Sequence, residues 1–190
     1  MNHRFTRLAF AAAVLGGALP LPALAHDPGH GAHMHDLRVR LEGYQEVPSV
    51  STAARANFRA TVDHHAKLIS WRLSYADLEG DVQQAHIHFA QPGVNGGITV
   101  FLCTNLGNGP AGTPLCPGPR SGMLTGSITP NDVSPDIAAT QAAITQGIGP
   151  GEFDELIEAL HNKALYVNVH STRWPGGEMR SQLGIAHHGH

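Results

Sequence analysis

His86 and His88, in the segment Ala85-His86-Ile87-His88-Phe89, are the residues of this chain best spaced for metal chemistry. In an extended strand successive side chains alternate between faces, so Ala85, Ile87 and Phe89 are expected against a core while both imidazoles project together on the other side. The same alternation sends Leu165, Val167 and Val169 inward and Tyr166, Asn168 and His170 outward, onto a solvent face. Imidazole suits copper, zinc, iron and nickel, and three ligands plus an open or water-filled position is a common arrangement for a reactive ion. His86, His88 and His170 are therefore the candidate ligands of a surface metal site, for copper or zinc. Glu178, on the same expected strand face as Arg180, is the candidate fourth ligand or a group that orients a ligand. Ligating imidazoles must be unprotonated, so affinity is expected to fall as pH drops through about 6. The competing reading is that the three histidines hydrogen-bond to neighbours and bind nothing. What decides between the two is whether His170 comes beside the pair.

Other candidates are weaker. His26, His30, His33 and His35 near one end, and His187, His188 and His190 at the other, could gather copper, zinc or nickel, or serve only as soluble, pH-responsive arms. An amino-terminal His26 could chelate copper through its amine and ring together. Ser171 and Ser181 lack a Gly-x-Ser-x-Gly elbow and any ordered acid and base, which points away from a hydrolase. Asp77, Glu79 and Asp81 form an acidic turn without the Gly and distal Glu of a calcium loop. Trp71 and Trp174 are expected to pack. His64 and His65, in a turn, are expected to be dispensable for the three-histidine site.

The elements that must position these residues read as strands. Leu37, Val39 and Leu41 alternate with charged neighbours, and Phe58 to Val62 and Ile69 to Tyr75 form a hairpin around a turn at residues 63–67. Short strands follow at residues 85–90, 98–103, 123–129, 165–170 and 178–183, separated by Gly- and Pro-rich connections. Phe153, Leu156, Ile157 and Leu160 fall at helical spacing. The expected fold is mainly β, an antiparallel Greek-key-like sandwich or barrel with one short helix. The expected division is a leader at residues 1–25, a His-rich arm at 26–35, one domain at 36–184 and a His-rich tail at 185–190.

The chain has 190 residues. Arg4 and Arg7, the apolar run from Leu8 to Leu19 and the ending Ala23-Leu24-Ala25 have the order of a signal peptide, which predicts export to the periplasm or the medium. The apolar run is short for a membrane span, which takes roughly 20 residues, and none is expected. The first 25 residues hold two of the 12 basic residues and none of the 15 acidic ones, so the exported part is acidic. Nucleic acid is not an expected partner, since phosphate binding normally shows as a basic patch. Cys103 and Cys116 are the only cysteines. In an oxidising compartment they are expected to form a disulfide, with paired metal-binding thiolates as the alternative.

The segments QQAHIHFAQPGVNGGITVFLC, TGSITPNDV, GEFDELIEAL and ALYVNVHSTRWPGGEMRSQL resemble a bacterial chordin-type (CHRD) domain, over roughly Asp36 to Gly184. The resemblance implies a compact, mainly antiparallel extracellular β domain. Its AHIH and NVH motifs fall on His86, His88 and His170, and its P-G-G-E motif on Pro175, Gly176, Gly177 and Glu178. In chordin such repeats accompany growth-factor binding, so the resemblance also implies a structural or interaction module that binds another extracytoplasmic protein. A weaker likeness, of motif and architecture alone, is to copper-zinc superoxide dismutase, where a His-x-His strand holds copper. This chain lacks the dense His and Asp loop of an adjoining zinc site.

Overall fold

The computed structural model describes residues 34–185. The expected leader, the arm through His33 and the tail from residue 186 lie outside the described residues.

Alternating apolar residues build two four-stranded antiparallel sheets. The first has the order β1 (Met34–Leu41), β2 (Arg55–Asp63), β3 (Leu68–Ala76) and β6 (Gly122–Ile128). The second has the order β5 (Gly97–Thr104), β4 (Val82–Phe89), β7 (Leu165–Ser171) and β8 (Met179–Leu183). Their facing sides meet in one apolar core that includes Leu41, Phe58, Val62, Trp71 and Leu73 from the first sheet and Ala85, Ile87, Leu102, Val167 and Val169 from the second. Of the sandwich and the barrel, the structure is a sandwich. The sheets touch along one edge through a single bridge between Glu42 and Arg180 and do not close.

The helix read from the spacing of Phe153, Leu156, Ile157 and Leu160 is α2 (Phe153–His161), and those four residues are buried in the same core. A second short helix, α1 (Gln141–Gln146), was not expected. It ends at Gly147, whose φ of 111° suits glycine. The first strand starts at Met34 and takes in His35, a residue expected to belong to the arm.

Cys103 and Cys116 are bonded, joining the end of β5 to the loop before β6. Closing a loop of this separation contributes on the order of 3 kcal/mol in the chain-entropy view. Among the described residues no helix is long and apolar enough to cross a membrane.

Candidate metal centre

β4 and β7 are neighbours at the middle of the second sheet, and their register opposes His86 to Asn168, Gln84 to His170 and His88 to Tyr166. On the other side of β4 the pairing with β5 slips twice, between Ala85 and His86 and between Ile87 and His88. Such irregularities bend a strand and re-aim its side chains. His170 is thereby brought beside the His-x-His pair. The ring centroids lie 5.4 Å apart for His86 and His88, 5.1 Å for His86 and His170 and 6.2 Å for His88 and His170. One nitrogen from each ring falls within 4.8 Å of the others.

The face these rings occupy is not a solvent face, and this corrects the expected surface site. His86, His88 and His170 are 0%, 7% and 6% exposed. Alternation placed them correctly on the side away from the core, but that side is roofed. Three connections make the cover. Arg180 donates to the carbonyls of Gln45 and Val94 and to Asn95 Oδ1, so one side chain ties residues 43–50 and 91–97 across the sheet. Asn95 Nδ2 donates to the Val47 carbonyl, joining the two connections to each other. The turn at residues 174–177 presents the Pro175 carbonyl to His170. α1 covers the β5 side, where the Gly97 amide donates to Gln146 Oε1 and a Cβ on Gly97 would clash with the Ala143 nitrogen.

The hydrogen bonds fix which nitrogens are available. His88 Nδ1 lies 3.0 Å from the Gly96 carbonyl and His170 Nδ1 lies 2.9 Å from the Pro175 carbonyl. A backbone carbonyl only accepts, so each Nδ1 carries the proton and each Nε2 keeps its lone pair, the tautomer of a metal-ligating histidine. Both Nε2 atoms face Asn168 Oδ1, at 3.1 Å and 3.0 Å. A lone pair facing an oxygen is unfavourable, so in the absence of metal the Asn168 amide is expected to turn its NH2 toward them. His86 goes further, since both its ring nitrogens are buried and have no hydrogen-bond partner. Leaving a polar group so costs roughly 1 to 3 kcal/mol. Phe101, 4.5 Å from it centroid to centroid, supplies an apolar wall.

Burial dominates the titration of all three rings. His86 is held well below 6.5 by burial and by the neighbouring His170 and His88. Burial lowers His88 to about 4, partly opposed by its Nδ1 hydrogen bond to the Gly96 carbonyl, with the neighbouring His170 and Arg180 lowering it further. His170 is lowered by burial, opposed by Pro175. The rings therefore stay neutral in mild acid, and loss of ligating capacity is shifted below the pH of about 6 expected of free imidazole.

Glu178 is fully buried but is not one of the converging group. Its Oε1 accepts from Thr52 Oγ1 at 2.8 Å and from the Glu79 amide at 2.9 Å, which ties it to the connections before β2 and before β4. Arg180 is 2% exposed and lies over the Tyr166 ring at 4.6 Å, while Tyr166 stacks on His88 at 4.7 Å with parallel planes. Arg180 thus orients His88 through Tyr166. Sequence reasoning passed over Asn168, Tyr166 and Glu46. Tyr166 and Asn168 carried a signal, since they share the strand face of His170. Glu46 is raised to about 7 by burial, against the attraction of Arg180 and the Val47 amide.

The remaining candidates do other things. Asp77, Glu79 and Asp81 do not converge as a calcium loop would; they pair with Arg55, Arg173 and Arg120 respectively. Ser171 and Ser181 are buried in β7 and β8. Trp71 is in the core, and Trp174 donates from Nε1 to Glu79.

Residues 37–183 match the CHRD domain family. Comparisons with curated proteins and with solved structures gave no match. With most of its length matched, the chain belongs to the CHRD domain family.

Proposed function

We propose that this CHRD-domain chain is an exported metal-binding protein of the periplasm or the medium, holding one copper or zinc ion on His86, His88 and His170. The observation that carries this reading is the buried His86 ring with no hydrogen-bond partner on either nitrogen, beside two rings whose Nδ1 atoms are already committed to carbonyls. A fold gains nothing from such a ring unless something else satisfies it. The donor set fits: three neutral imidazoles under a low-dielectric roof, with Arg180 and Tyr166 fixing one ring and Pro175 another. Copper there would supply one-electron chemistry, and either ion could be stored, delivered or sensed. The order of residues in the first 25 supports export, and the Cys103–Cys116 bond suits an oxidising compartment.

The test is metal analysis of untagged protein purified from the exported fraction. About one copper or zinc per chain, lost from the variant lacking all three histidines, is expected. Protein without metal that also fails to bind it when supplied would leave an interaction module as the better account.

A further inference from the structure

A second trio of imidazoles lies away from the buried centre. His35 is in β1 opposite Val62, His64 opens the turn between β2 and β3, and His161 ends α2. Their ring centroids are 5.1 Å apart for His35 and His64, 5.6 Å for His64 and His161 and 6.0 Å for His35 and His161. These separations match those of the first trio. They also suit an ion: a nitrogen about 2.1 Å from a metal puts its ring centroid about 3 Å away, so three rings around a tetrahedral ion have centroids about 5 Å apart. His64 Nε2 is screened from solvent and has no hydrogen-bond partner. The ion pair of Lys67 with Asp154, at 2.6 Å, ties the turn carrying His64 to α2.

We infer that His35, His64 and His161 form a second site, for a divalent transition-metal ion of the zinc or copper class. It differs from the first in two ways. All three residues are half-buried, where those of the first trio are buried. Among the described residues, the nitrogens of the first trio alone converge within 4.8 Å, so the second site closes by rotation of its rings when the ion arrives. Turning the rings to converge costs free energy that a preformed site avoids, which makes the second site the weaker one.

The experiment titrates the full-length chain with Zn2+ alone, read by histidine side-chain NMR together with equilibrium dialysis. The first equivalent should leave the His64 and His161 resonances in place, and the second should move both. His64→Ala and His161→Ala should each weaken the second equivalent at least about tenfold and leave the first unchanged. His64→Gln, which keeps a polar side chain in the turn, should do the same and guards against a folding defect. In the variant lacking His86, His88 and His170 the His64 and His161 shifts should persist, so the two sites fail or stand separately. Unmoved His64 and His161 resonances, with parental binding in the His64 and His161 variants, would overturn the inference and place any weak binding on the terminal histidines or on the first site.

Discussion

His86→Leu should make the metal-free protein more stable and the metal-binding protein useless. The ring is fully buried with two unsatisfied nitrogens beside Phe101, so a leucine of similar bulk removes two desolvated polar atoms and keeps the contact. The expected gain is about 1 to 3 kcal/mol. For a domain of this size each kcal/mol raises Tm by about 2 to 4 °C. Affinity for the tight equivalent of copper or zinc should fall at least about 100-fold with one of three ligands gone. Thermal unfolding of metal-free protein and metal titration check the two halves. A variant that is less stable and binds metal as before would mean that His86 is a structural residue.

Acid should unfold the metal-free protein through its buried histidines. In the unfolded chain these rings take up protons below about 6.5, but in the folded protein all three resist protonation, His88 down to about 4. Below 6.5 the unfolded state therefore binds more protons, and stability falls with pH. Their contribution is full above 6.5 and is lost progressively as pH drops toward 4. At about 1.4 kcal/mol per pH unit, His88 alone accounts for on the order of 3 kcal/mol by the lower limit. Glu46 works the other way. Its carboxyl is raised to about 7, so its proton is held more tightly in the folded state and folding gains as pH falls from 7 toward its ordinary value of 4.5. Three histidines outweigh one carboxyl, and Glu46→Gln should steepen the loss. Denaturant midpoints at pH 7 and pH 5, with and without metal, read this directly. Metal should raise the midpoint at both pH values and leave the slope in place, since an ion that binds only the folded state stabilises it while its ligating rings, like the metal-free ones, take up no proton. A metal-free midpoint that is flat from pH 7 to 5 in both parent and Glu46→Gln would contradict the argument.

The strands and their faces were legible because a period of two is a strong signal where one face is apolar. Ala85 and Ile87 against His86 and His88 is the plainest case. The proximity of His170 was only half legible. Alternation gave its face, but the pairing of β4 with β7 is a long-range fact that local pattern does not contain. The burial of the site was illegible for a different reason. The roof is made of residues 43–50, 91–97 and 174–177, whose Gly and Pro content marks them as turns without saying that they fold back over the sheet. α1 was missed because Gln141–Gln146 is too short to show an apolar stripe, whereas Phe153 to Leu160 shows two turns of one. Asn168 was placed on the right face and given no role. Its importance comes from standing between His88 and His170, which only the register reveals.

The most direct measurement is a copper or zinc titration at neutral pH of the full-length parent and of the variant with His86, His88 and His170 all replaced by Ala. The terminal histidines are common to both and cancel. The parent should bind about one equivalent tightly, the variant should lose that equivalent, and both should keep the same weaker binding. Equal tight binding by parent and triple variant would contradict the claim that the roofed histidines of β4 and β7 are a metal site.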